Sequence, residues 1–233
     1  MDTEVLLMPG EMVNFPSNGH QCEGYLAKPA SGSGPGIVVI QEWWGLNDNI
    51  KGIADRLAAE GFVALAPDLY HGQMTAEPDE AGKLMMAMKL EVAVTDMTGS
   101  VDYLKSVPAA TGDKIGCIGW CMGGGLALYL ATLKPEIGAC VPFYGVVPGA
   151  QPDFSKIQGA VLGHYADHDD WAPPAATREL EMKLKSLGKD AELFVYPDTS
   201  HGFFNDTRAE VHNAEASKLA WERTVAFFHK HLG

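Results

Sequence analysis

The chain has 233 residues, 46% of them hydrophobic and 20% charged, an ordinary globular composition that can fill a sizeable core and excludes disorder, collagen and coiled coil. Seventeen basic residues against thirty acidic ones leave a formal charge of −13. With no Lys/Arg cluster to offset that charge, neither nucleic acid nor an anionic membrane is an expected partner.

The opening Met-Asp-Thr-Glu lacks the basic and apolar regions of a secretory signal, and no apolar run approaches the ~20 residues that span a bilayer. The expectation is a soluble, cytoplasmic chain, a monomer or small homo-oligomer. Cys22, Cys117, Cys121 and Cys140 are too few to staple a chain of this size and read as free thiols.

In chain order, Glu11–Phe15 and Cys22–Ala27 read as a short antiparallel pair at a sheet edge, joined by a turn-rich loop. From Pro35 onward short apolar runs alternate with amphipathic stretches, the pattern of strands crossing over through helices into a mostly parallel sheet. Gly36–Ile40 is the first buried strand. Ile50, Ile53, Ala54, Leu57 and Ala58 then mark a helix, with Asn47 or Asp48 as its cap and Gly61 as its stop.

Val63–Ala66 is the next strand. A long helical region follows, with Leu84, Met88 and Val92 on one face and Met97, Val101 and Leu104 on another, and a bend is expected at Gly99. Lys114–Gly119 reads as a central strand feeding a helix from Met122. Strands at Ala139–Tyr144, Ala160–Tyr165 and Ala191–Tyr196 follow. They alternate with a helix carrying Ala176, Leu180, Leu184 and Leu187 and a C-terminal helix carrying Ala216, Leu219, Ala220 and Phe227. No repeat or low-complexity linker interrupts the pattern, so residues 1–233 are expected to form one α/β domain.

The strongest chemical signal lies between the strand ending at Gly119 and the helix from Met122. Gly119-Trp120-Cys121-Met122-Gly123 is a G-x-C-x-G form of the nucleophile elbow. A turn sharp enough to lift one side chain above a sheet crowds the neighbouring backbone and so requires glycine on either side. The following helix presents its N-terminal amides to the same place, where they favour a thiolate and can hold an oxyanion.

Nucleophile, acid, base is the chain order of the α/β-hydrolase triad. Cys121 is followed by Asp169 at the end of a strand, where such folds place ligands, and by His201 in a loop after the next strand. Asp167 and Asp170 share the acid loop and compete with Asp169, whereas His212 and His229 fall on the last helix. Cys117 reads as sheet packing, because strand geometry separates it from Cys121.

Six segments together resemble the dienelactone hydrolase (carboxymethylenebutenolidase) family of α/β-hydrolases, over nearly the whole chain. They are Gln41-Glu42-Trp43-Trp44-Gly45, Pro67-Asp68-Leu69-Tyr70, Gly119-Trp120-Cys121-Met122-Gly123-Gly124, Tyr144-Gly145, Asp167-His168-Asp169-Asp170-Trp171-Ala172-Pro173 and Ser200-His201-Gly202-Phe203. The resemblance implies a three-layer α/β-hydrolase fold without a lid domain, no zinc or other metal and no cofactor. It also selects Asp169, four residues before Pro173, as the acid.

The roles implied are Cys121 as nucleophile, His201 as base and then acid, and Asp169 as the group that sets the imidazole tautomer. The amides of Trp43 and Met122 are the implied oxyanion donors. Glu42 would hold the resting thiol and assist its ionisation, the plain alternative being a loop-end carboxylate that caps a helix. Trp44, Tyr144 and Phe203 are candidate substrate contacts.

The family holds a substrate carboxylate with arginines, one of them four residues beyond the catalytic histidine. That position here is Asn205, with Arg208 nearby as a substitute.

A cysteine nucleophile also restricts the substrate. A thiolate, with parent pKa near 8.5, is a better leaving group than an alkoxide resembling hydroxide, whose parent water has pKa about 15.7. Attack on a simple alkyl ester mostly reverses, so an activated leaving group such as the enolate of an enol-lactone is favoured. The expected activity is cysteine-dependent hydrolysis of a small activated ester or lactone. The alternatives are a broader carboxylesterase or thioesterase, or a non-catalytic binding or thiol-sensing protein on the same fold.

Overall fold

The computed structural model describes residues 9–17, 19–145 and 152–233, so the opening Met-Asp-Thr-Glu lies outside the described residues. Among these residues eight strands form one sheet: β1 (Glu11–Ser17), β2 (His20–Ala27), β3 (Gly34–Ile40), β4 (Val63–Pro67), β5 (Ala110–Trp120), β6 (Ile137–Phe143), β7 (Ala160–His168) and β8 (Ala191–Ser200). Their spatial order is β1-β2-β4-β3-β5-β6-β7-β8. The β1–β2 and β2–β4 pairs are antiparallel and all others parallel, so the expected edge hairpin is present.

Among the described residues six α-helices cover the sheet: α1 (Asp48–Ala59), α2 (Pro78–Ala87), α3 (Leu90–Ser106), α4 (Met122–Leu133), α5 (Pro174–Ser186) and α6 (Ala214–Leu232). Strand periodicity divides the core between the two faces. In β3, Val38 and Ile40 join the cluster built with α3, α4 and α5, whereas Ile37 and Val39 join the one built with α1 and α6. This is the three-layer α/β-hydrolase fold. Among the described residues no helix is long and apolar enough to cross a membrane.

Several helices depart from the expected pattern. The break in the long helical region falls at Met88–Lys89, which separates α2 from α3, and not at Gly99. Gly99 lies inside α3, where a Cβ would come within 3.1 Å of the Pro16 carbonyl, so its role is to let α3 approach β1. On α6 the buried stripe runs through Ala216, Ser217, Ala220, Thr224, Phe228 and Leu232. Leu219 is exposed and Phe227 only partly buried. Leu187 is exposed just past the end of α5. The Asn47 side chain caps α1 through the Ile50 amide at 3.1 Å, a bond worth about 1 kcal/mol.

Candidate active site

The strand order reverses between β4-β3 and β3-β5, and ligands of open α/β sheets collect beyond the strand ends at such a point. The loop after β3 begins at Gln41, and β5 runs straight into Cys121. Cys121 sits at φ 54°, ψ −120°, a left-handed backbone that a side chain tolerates only where its surroundings enforce it. The enforcement is steric. A Cβ on Gly119 would collide with the Gly123 carbonyl, and one on Gly123 would lie 2.5 Å from the Ile40 carbonyl. Behind the turn, the Cys121 amide donates to the Phe143 carbonyl at 3.0 Å.

Cys121 lines a cavity of about 430 Å³ together with Glu42, Trp43, Trp44, Met85, Met122, Trp171, His201, Gly202 and Arg208. A cavity next to the acid loop is slightly smaller, about 330 Å³, but none of Cys121, His201 and Glu42 lines it.

Beyond β7 and β8, Asp169 Oδ2 meets His201 Nδ1 at 2.8 Å. The other Asp169 oxygen accepts the amides of Trp171 at 2.8 Å and Ala172 at 2.9 Å. Burial works to raise the Asp169 pKa, but the His201 interaction and these two amides hold it below the ordinary 3.8. Burial likewise opposes a charged His201, yet Asp169 and the neighbouring Cys121 sulfur outweigh it and raise the imidazole from 6.5 to about 10.

His201 Nε2 is buried and has no hydrogen-bond partner within normal geometry among the described residues. The competing Asp167 accepts the amides of Asp198 and Thr199, each at 3.0 Å, and so serves the turn after β8. The Trp43 amide and that of Met122, the first residue of α4, have no backbone acceptor among the described residues.

Glu42 is buried and caps no helix. Its oxygens accept the Asn205 amide at 2.8 Å and the Tyr144 hydroxyl at 3.5 Å. Burial raises its pKa, and Asn205, His201, Arg208 and Tyr144 only partly offset the rise.

These bonds revise three expected substrate contacts. Asn205 spends its Nδ2 on Glu42 and its Oδ1 on the Thr207 amide and hydroxyl. Tyr144, at φ 35° and fully buried, turns its hydroxyl to Glu42 and packs its ring 4.8 Å from that of His201. Phe203 is buried behind both, with its ring 5.5 Å from Tyr144.

Of the expected contacts only Trp44 and Arg208 line the cavity. The Arg208 guanidinium lies 5.6 Å from the centre of the Trp44 ring and pairs with Glu210 at 2.8 Å. Trp171 and Gly202 lie inside segments that carry the family resemblance but have no role implied there, while nothing local in the sequence marks Met85. Cys117 is buried against the Ala127 carbonyl, as its strand position implied.

A doubly covered, mostly parallel sheet with a residue raised on a glycine-flanked elbow and an acid–imidazole pair beyond the next strands is the plan of an α/β-hydrolase. The model of the dienelactone hydrolase family matches residues 22–232, and the chain belongs to that family, a family of hydrolytic enzymes.

Protein usf of Aquifex pyrophilus is 39% identical over 230 residues, covering 96% of this chain and 99% of its own. A protein of Aquifex aeolicus provisionally named a carboxymethylenebutenolidase is 36% identical over the same shares. A crystal structure from Klebsiella pneumoniae, provisionally named a dienelactone hydrolase, superposes with a TM-score of 0.86 at 27% identity, covering 95% of this chain and 98% of its own.

Proposed function

We propose that the protein hydrolyses small activated esters or lactones through an acyl-enzyme on Cys121, as its relatives' carboxymethylenebutenolidase names suggest. The observation that carries this reading is the strained Cys121 elbow opening into the same cavity as a His201 already bonded to Asp169.

His201 Nε2, its proton affinity raised by Asp169 and the sulfur, already holds the thiol proton as the sulfur attacks the carbonyl carbon. The resulting oxyanion is held by the free amides of Trp43 and Met122. Collapse breaks the bond to the leaving oxygen, which takes its proton from His201, and a lactone would remain tethered as the acyl-enzyme. Water, deprotonated by His201, then attacks the acyl carbon; collapse breaks the C–S bond and frees the carboxylic acid, and His201 returns its proton to the sulfur. Glu42 stands beside this exchange as a second proton acceptor whose raised pKa suits it to hold a proton.

The cavity walls, Trp43, Trp44, Met85, Met122 and Trp171, suit a flat unsaturated body, and among the described residues Arg208 is the one arginine or lysine lining it. A substrate anion would compete there with Glu210.

The test is a leaving-group series from aryl and enol esters to alkyl esters, together with a search for an acyl adduct by intact mass. The expected result is a steep fall in rate with leaving-group basicity, an adduct on Cys121, and loss of turnover in a folded Cys121→Ala chain. Wild-type turnover by that variant would refute the reading, as would equal wild-type rates on aryl and alkyl esters with chemistry limiting.

A further inference from the structure

Away from the cavity, three residues from three elements converge on one buried carboxylate. Asp96 lies on α3 and is fully buried. Its Oδ1 accepts the Ser17 hydroxyl at 2.6 Å and meets His20 Nε2, from the start of β2, at 2.7 Å. Among the described residues its Oδ2 has no hydrogen-bond partner, and His71 Nε2 stands 3.3 Å from it. His71 belongs to the loop after β4 and sits at φ 51°, so a non-glycine residue occupies a left-handed position there. One ligand atom from each of His20, His71 and Asp96 lies within 4.8 Å of the others. None of the three lines the Cys121 cavity.

The geometry points to a zinc site on this face, with Zn²⁺ bound by Nε2 of His20, Nε2 of His71 and the Asp96 carboxylate, and with water as the fourth ligand. A buried carboxylate with one oxygen unbonded is costly unless a cation accompanies it. Two imidazoles and one carboxylate form a donor set suited to zinc, whereas calcium and magnesium favour oxygen alone.

With metal bonds of about 2.0–2.1 Å, tetrahedral ligands lie about 3.4 Å apart, and the half-exposed imidazoles have room to reach that spacing. The Ser17 hydroxyl already fixes the carboxylate in the way that outer partners orient metal ligands. Cys22, buried and turned to the Glu23 carbonyl at 3.2 Å, stands outside the ligand set. The family resemblance implies no metal in hydrolysis. This ion would instead tie the β1–β2 hairpin to α3 and to the loop that carries Tyr70, whose hydroxyl bonds Met122 Sδ at 3.6 Å.

The test titrates Zn²⁺ into the full chain with Cys121 alkylated, so that the active thiol does not compete, using a chromogenic chelator as the reporter. The expected results are one equivalent bound, a zinc-dependent rise in Tm, and affinity at least tenfold weaker in His20→Ala and in His71→Ala. In the double variant both binding and the Tm rise should be lost. Both histidines are exposed, so the variants should fold, which circular dichroism checks. Unchanged stoichiometry and affinity in the double variant would place the zinc on other groups and overturn the site, as would no binding by the parent chain.

Discussion

Removing the Asn205 side chain should make the stability of the protein more dependent on pH. Asn205→Ala deletes the 2.8 Å bond to the buried Glu42 and leaves that carboxylate with the Tyr144 hydroxyl at 3.5 Å. A hydrogen bond to a charged group contributes about 1.5–3 kcal/mol, and that is the expected loss while Glu42 is ionised.

The sign follows from the direction of the Glu42 shift. Its pKa in the folded chain lies above the ordinary 4.5 because of burial, so the folded state binds more protons and stability falls as pH rises between these two values. The variant extends that fall to higher pH. Its deficit relative to the parent should be small below about pH 4.5, limited to the lost Thr207 bonds, and should then grow by about 1.5–3 kcal/mol to a plateau. Urea denaturation at a series of pH values measures this, and the same series in a Glu42→Gln background should show no growth. A deficit that stays flat with pH in the Glu42 chain would refute the reasoning.

The raised His201 pKa predicts a second dependence. The stability it confers is complete below about pH 6.5 and declines as pH rises towards about 10, and Asp169→Asn should flatten that decline in Tm while lowering kcat about 10²–10⁴-fold. Gly123→Ala would force a methyl to within 2.5 Å of the Ile40 carbonyl. It should cost about 1–3 kcal/mol or more in denaturant unfolding, as overpacking does, and should cut turnover by displacing the elbow.

The sheet was legible because its central strands are short, continuously apolar and often β-branched runs, buried on both faces, and α1 because its cap and buried stripe are both local signals. The break between α2 and α3 was not, since neither Met88 nor Lys89 is a breaker. Gly99 looks like one yet serves a close approach to β1 that only tertiary structure creates. In the candidate site, residue types and chain order brought Cys121, Asp169 and His201 forward, but three aspartates within four residues cannot be separated locally. Asp167 is distinguished only by two amides from a turn some thirty residues away. Tyr144, Phe203 and Asn205 looked like substrate contacts because they adjoin the right motifs. Whether a side chain at a strand end faces the cavity or the interior depends on neighbours remote in sequence, here Glu42.

Among the helices, α2 carries Met85 into the cavity wall and yet fully buries only Ala81. Lifting it exposes little apolar area, so its amides should exchange with deuterium far sooner than those of α4, which is buried along most of its length. One wall of the cavity should therefore yield more readily than the elbow. Under the proposed activity, a bulkier acyl group should register as a higher KM before it registers as a lower kcat.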